Sequence, residues 1–312
     1  MRNSMKKVFA VLAGLALAVT LVAFLGAAAK APGSDEAKDV TTSYDLGGFD
    51  GIDASWVYKI DLTQSSNYAV QVDAPDFVVP YLRVELTGDR LKLGVLPLPK
   101  DVRKKMSHAE IVARISMPEL STLMLSGATR FRANGKFPSR KGQFRMEMNG
   151  AANLISLEVQ ANSAKIDCNG ATRFNLKGEF DTMDIILSGA VEGLLAATSK
   201  KVFLNMSGAS DMNMDLDAET VDLGNSGASN LSLAGKALKV KAEGSGASKI
   251  FAERMALQDA EVNLSGASAM RVNASRSLSV DLSGSADCRY RDNPGLMIEQ
   301  SSIARSASLA AF

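Results

Sequence analysis

Along much of this chain the apolar residues fall at every second position: Phe144, Met146 and Met148, then Val202, Leu204 and Met206, then Ala260, Val262 and Leu264, then Leu278, Val280 and Leu282. Period two is the mark of a strand with one face turned inward. Each run ends two residues before a glycine. Four residues after that glycine another apolar side chain follows, as Phe131, Leu154, Phe174, Leu231, Ile250 and Met270. The pattern predicts a strand, a turn at the glycine and a second strand beyond it.

The turn carries a recurring phrase. It reads LSGAT at 125, MSGAS at 206, NSGAS at 225, LSGAS at 264 and LSGSA at 282, and its glycines are Gly127, Gly150, Gly170, Gly189, Gly208, Gly227, Gly246, Gly266 and Gly284. Their intervals are 23, 20, 19, 19, 19, 19, 20 and 18 residues. A period of about 19 is that of a solenoid coil, with room for three short strands and three corners. One coil cannot bury its own inner face, but a stack of coils buries a continuous column. The predicted fold is therefore an all-β, right-handed parallel β-helix. A leucine-rich repeat is the rival, since Leu120, Leu123 and Leu125 fit its spacing, but later copies break that match and leave no room for a convex-side helix.

The phrase has a physical reading. Glycine suits a corner of positive φ, the Ser or Asn before it can bond the local backbone, and the following Ala is small enough to sit where two strands meet. Stacking places Ser126, Asn149, Asn169, Ser188, Ser207, Ser226, Ser245, Ser265 and Ser283 in one ladder at ~4.8 Å per coil. As nucleophiles these serines would each need a base. The chain holds a single histidine, His108, which precedes the first repeat, so the ladder reads as structural. Asn225 and Gly244 stand where a buried apolar residue is usual, which predicts local irregularity in the column.

The cysteines test the register. Cys168 lies two before its glycine and Cys288 four after, both inward, and six coils apart. That separation far exceeds disulfide reach, so two buried free thiols are expected.

Composition and charge then narrow the class. Arg2, Lys6 and Lys7 precede an apolar or small run from Val8 to Ala29, closed by Ala27-Ala28-Ala29-Lys30-Ala31. This is the form of a secretory signal peptide over 1–31, although the run is also long enough to be a membrane anchor. No cysteine stands directly at its end, which argues against a lipoprotein. Without residues 1–31 the chain has 31 basic against 34 acidic residues, a net charge of −3, and no basic face for nucleic acid. Residues 32–44 are expected to be a linker, 45–118 less regular first coils or a cap, 119–290 the regular coils, and 301–312 a tail.

Few residues suggest a site. Outward positions of adjacent coils hold Arg145, Glu147, Lys165 and Asp167, so Glu147 and Asp167 are predicted neighbours. Paired carboxylates beside a cation suit a polysaccharide lyase or hydrolase, and a solvated face of ion pairs gives the same pattern. KDVRKKMSH at 100–108 reads as a basic loop that could meet an anionic surface. No metal cluster or cofactor motif is present, because His108 has no second His and no Cys near it.

Several stretches together carry a family resemblance: Gly48-Phe49-Asp50-Gly51-Ile52, VYKIDLTQSSNYAVQVDAP, LRVELTGDRLKLGV, Ile115-Ser116-Met117-Pro118, the SGAS repeats and the closing LSGSADCRYRDNPG. Over roughly 44 to 300 the chain resembles the auto-transporter adhesin, head GIN domain family. The resemblance implies a right-handed parallel β-helix on an exported protein of the periplasm or outer surface of a Gram-negative bacterium. It implies binding of glycan, matrix or another envelope protein, without catalytic residues to transfer. No C-terminal barrel of alternating strands follows the repeats, which weighs against self-transport.

Overall fold

The computed structural model describes residues 38–106 and 109–312. The signal segment 1–31 and His108 lie outside the described residues. One β-solenoid accounts for nearly everything else, and its inner column is a single core running from Leu46 to Cys288.

The first elements do not follow chain order in space. They are β1 (Asp39–Tyr44), β2 (Gly51–Ala54), β3 (Tyr58–Gln64), β4 (Ala69–Pro75), β5 (Leu82–Thr87), β6 (Arg90–Val95), the short helix α1 (Lys100–Lys105), β7 (Ile111–Met117), β8 (Thr122–Leu125) and β9 (Arg130–Pro138). β2 pairs in parallel with both β6 and β8, and β3 with both β7 and β9. The first coil, β2 to β3, is thus gripped between two coils that come later in the chain. β4 lies antiparallel to β7 and β1, and β5 antiparallel to β6, which closes this end with strands of reversed direction. A cap of this kind covers edges that a bare coil would expose.

Three expectations change here. Asp39–Tyr44, expected within a linker, is the outermost strand of the cap, bonded along its length to β4. The basic loop at 100–108 contains the helical turn α1, ended by buried Met106. Residues 45–118 are interlocked with the regular stack.

Beyond this the coils follow one another: β10 (Gln143–Met148), β11 (Asn153–Gln160), β12 (Ser163–Gly170), β13 (Arg173–Gly189), β14 (Glu192–Met206), β15 (Asp211–Asn225), β16 (Asn230–Gly244), β17 (Lys249–Leu264) and β18 (Ala269–Leu282). Where three short strands per coil were expected, β13 to β18 are continuous segments of 14 to 17 residues. Each runs through its bend as one strand, although the ladders slip in register at Ser232–Ala234 between β16 and β17 and at Ala252–Asp259 between β17 and β18. In β15 the bend falls where Glu219 and Thr220 successively face outward and the alternation resumes at buried Val221. The stack ends with β19 (Asp287–Tyr290), β20 (Met297–Ile303) and β21 (Ser308–Ala311), so part of the expected tail at 301–312 is a further turn on β18 and β19.

The period-two reading holds in the runs that carried it. Phe144, Met146, Met148, Val202, Leu204, Met206, Val262 and Leu282 are all buried, as are the free thiols Cys168 and Cys288.

Candidate functional site

The repeated corner is built from backbone outward. Its glycines all take positive φ, from 66° at Gly284 to 99° at Gly189. A β-carbon at Gly208 would lie 2.5 Å from the carbonyl oxygen of Gly189, and one at Gly227 2.5 Å from that of Gly208. Both the left-handed conformation and the stacked carbonyl select glycine. The N–H after each glycine continues the column: Ala209 donates to Gly189 O at 2.8 Å, Ala228 to Gly208 O at 2.9 Å and Ala247 to Gly227 O at 2.9 Å. At the bottom Ala128 donates to Trp56 O at 2.6 Å, and Trp56 has φ 80°. Residues 54–58, Ala-Ser-Trp-Val-Tyr, are thus a hidden first copy of the phrase.

Two polar columns flank these glycines, and they differ. The residue before the glycine, from Ser126 to Ser283, is exposed or half-buried. Several of these residues reach the neighbouring coil, as Ser226 Oγ to Met206 O at 3.1 Å, Ser207 Oγ to Leu187 O at 3.4 Å and Ser188 Oγ to Asn169 Oδ1, whereas Asn169 Nδ2 donates to Asp167 on its own coil. The residue two after the glycine is a buried hydroxyl at six of the nine corners, Thr129, Thr172, Ser210, Ser229, Ser248 and Ser268, and buried Ala152, Val191 or Ala286 at the others. Four of the six make the local bond, Thr129 to Ser126 O at 2.6 Å, Ser210 to Ser207 O at 3.1 Å, Ser229 to Ser226 O at 2.6 Å and Ser268 to Ser265 O at 2.8 Å, while Thr172 Oγ1 and Ser248 Oγ are buried with no hydrogen-bond partner among the described residues. The expectation that the first serine ties the bend is corrected. A buried hydroxyl finds its partner in the nearest backbone where it finds one, whereas the first serine faces water. The Ala after the glycine, expected at a strand junction, is exposed in every copy that has it.

A groove of about 600 Å³ runs along the stack beside the first serines. Ser207, Ser226, Ser245, Ser265 and Ser283 form one wall; Ile186, Asn205, Glu243, Asn263 and Asp281 stand on the other. From Ser207 to Ser283 it spans about 19 Å at ~4.8 Å per coil. The floor is strand backbone already paired above and below, so recognition in the groove is left to hydroxyl, amide and carboxylate side chains. Its only charged lining groups are Glu243 and Asp281, which disfavours an anionic polymer.

The predicted carboxylates do meet. Glu147 is paired in register with Asp167, and Arg145 with Lys165. Each carboxylate is engaged on its own coil: Glu147 accepts from Arg145 Nε at 2.7 Å and Asp167 from Asn169 Nδ2 at 2.7 Å. The groove begins at Ile186, one coil beyond Asp167, and includes neither. Elsewhere exposed ion pairs link coils, as Arg173–Glu192 at 2.6 Å and Lys236–Asp217 at 3.0 Å. Among the described residues no cluster of His, Cys, Asp and Glu could hold a metal. Burial pushes both thiols up to about 12, far from the range of a reactive cysteine.

The groove's second wall was only partly legible. Asn205, Glu243, Asn263 and Asp281 carry no motif, and only their common offset of three before the glycine unites them.

A family model described as "Putative auto-transporter adhesin, head GIN domain" matches residues 48–198 and 190–294. A solved structure of a "putative adhesin" from Parabacteroides distasonis is similar at 15% identity and TM-score 0.52, covering 89% of this chain and 98% of that one. Another from Parabacteroides merdae is similar at 16% identity and TM-score 0.52, covering 89% and 97%. At that identity the likeness shows the fold. No curated protein matches the chain.

Proposed function

We propose that this chain, which belongs to the auto-transporter adhesin, head GIN domain family, is an exported, non-catalytic envelope or surface protein that binds an extended glycan along its axial groove. Export rests on the apolar segment at 8–29 with its basic start and small-residue end. Among the described residues no helix is long and apolar enough to cross a membrane. The observation that carries the binding reading is the groove itself, whose hydroxyl wall repeats once per coil on a rigid stack. A polymer of hydroxyl-bearing units offers matching donors and acceptors at each step, and many weak contacts along one chain add through effective concentration.

The test is incubation of the protein lacking residues 1–31 with a panel of neutral and acidic polysaccharides. Retention without new reducing ends or unsaturated products is expected. Turnover abolished by Glu147→Gln or Asp167→Asn would replace this reading with a polysaccharide lyase or hydrolase. Retention of matrix or envelope protein alone would move the partner from glycan to protein. Protease shaving of intact cells distinguishes the outer surface from the periplasm.

A further inference from the structure

Three glycines in the regular stack are not required by the backbone: Gly193 and Gly244, buried and packed by the side chains of Met212, Phe174 and Leu264, and Gly224. Gly224 lies within β15, three before its corner, in register with Asn205 on one side and Glu243 on the other. It is not among the residues of positive φ. A β-carbon there would crowd only the Asn205 side chain, with Oδ1 at 2.5 Å and the next atoms at 3.6 Å or more. An amide can swing aside, unlike the backbone carbonyl that blocks the corner glycines. A strand glycine with no such need weakens the strand, and it often marks a place where a ligand comes close to the backbone.

The gap it leaves is a notch of about 250 Å³ opening beside the axial groove. On its edge stands Phe203, 43% exposed. This phenylalanine is aligned with Asp184 on one coil and Asp222 on the other, and among the described residues no ring or cation stacks on it. Around the notch converge the Asn205 amide, the Asp222 and Glu243 carboxylates and the Lys241 ammonium, which lies 3.2 Å from Glu243. A large exposed aromatic bordered by convergent polar groups is the composition of a ligand site. The volume equals about eight waters, the size of one sugar ring and too small for a polymer segment.

We propose that Phe203 and the notch at Gly224 form a subsite for a single neutral hexopyranose unit of the glycan in the groove, an inference that rests on the glycan-binding reading above. The C–H face of the ring stacks on Phe203, as apolar surfaces pack on aromatic faces. Its hydroxyls reach Asn205, Asp222, Lys241 and Glu243. Two carboxylates against one ammonium disfavour a uronic acid and admit a neutral sugar.

The experiment compares wild type, F203A, F203W and G224V for retention of a soluble neutral glucan, a mannan and polygalacturonate in affinity electrophoresis, with thermal unfolding alongside. Wild type is expected to retain a neutral glycan, F203A to weaken that retention at least tenfold, and F203W to keep it. G224V is the decisive variant. Valine favours a strand, so the melting temperature should hold or rise while retention is lost. If F203A and G224V both bind within twofold of wild type, the subsite is wrong while the groove reading stands. Preferred binding of polygalacturonate overturns the neutral-sugar assignment. Failure of wild type to retain any of the three overturns both readings.

Discussion

Residues 173 to 282 wind so that each coil touches only the coils before and after it in the chain, whereas in residues 39 to 138 the first coil is held between two that come later. The regular coils form a nearly one-dimensional array, in which stability is a sum of neighbour terms and an end can fray a coil at a time. The cap cannot loosen that way. Removing β6 and β7 uncovers one side of β2 and β3, and removing β8 and β9 uncovers the other. A repeated corner therefore extends the wall, and interlocking fixes where it starts.

The largest test exploits this difference. Ile52 is fully buried between Leu91 and Leu123, and Leu278 is as buried between Ala260 and Ile298 near the other end. Either change to alanine should cost about 3 kcal/mol locally. Ile52→Ala is expected to lower the melting temperature of the whole domain and raise hydrogen exchange together in 51–64, 90–117 and 122–138. Leu278→Ala should raise exchange only from about residue 269 onward. Exchange confined to 51–64 in Ile52→Ala would mean that the cap is not interlocked in energy, whatever its topology.

A second pair separates conformation from stacking. Gly208 combines φ 80° with a carbonyl 2.5 Å from any β-carbon; Gly88, in the β5–β6 hairpin, has φ 63° and open space around it. Gly88→Ala should cost about 1 kcal/mol, the price of a left-handed alanine. Gly208→Ala should cost roughly 3 kcal/mol, because the β-carbon forces coils apart as well. Equal losses in chemical denaturation would show that φ alone selects glycine at the corners.

These contrasts show why one region was readable and the other was not. The regular coils announce themselves because Ser-Gly-Ala recurs at a near-constant interval and the inward residues alternate, which placed Cys168 and Cys288 correctly in the core. In the hidden copy at 54–58 only Ser55 survives from the Ser-Gly pair, and Trp56 takes the glycine's conformation at the foot of the column. No periodicity links 51–64 to both 90–117 and 122–138, since that pairing is decided by long-range packing. Within the candidate site, offset from the glycine identified the serines as a column. It did not say which hydroxyl turned inward, because a four-residue corner breaks the alternation that sets direction elsewhere. The Gly224 notch had no signal, for a glycine in a strand looks alike whether it is tolerated or needed.

The thiols offer an alkaline comparison of a middle coil with an end coil. Burial raises both to about 12, against about 8.5 in an unfolded chain. Between those values the folded state holds protons that the unfolded state has released, so stability falls as pH rises, by about 1.4 kcal/mol per pH unit for each thiol. Stability should be flat with respect to these groups below about pH 8 and decline above it. Cys168→Ala should shallow the decline in global melting, whereas Cys288→Ala should act mainly on exchange in the last coils. An alkaline slope unchanged in the double variant would assign the decline to other groups.

The finest comparison lies within one phrase, Asn225-Ser226-Gly227-Ala228-Ser229. Ser229 is buried; its hydroxyl bonds Ser226 O at 2.6 Å and also reaches the buried Asn225 Oδ1. Ser226, two residues before Ala228, sits half-buried on the groove wall and bonds Met206 O at 3.1 Å. Ser229→Ala leaves a carbonyl and an amide oxygen without that donor in a dry interior, which should cost about 1 kcal/mol. Ser226→Ala should cost only a few tenths, because water replaces the lost contact. Ligand retention should reverse the order: Ser226→Ala weakens a glycan that lies along the wall, and Ser229→Ala leaves it nearly unchanged. If both variants lose stability and retention in the same proportion, the two columns are one structural unit, and the groove wall has no separate binding role.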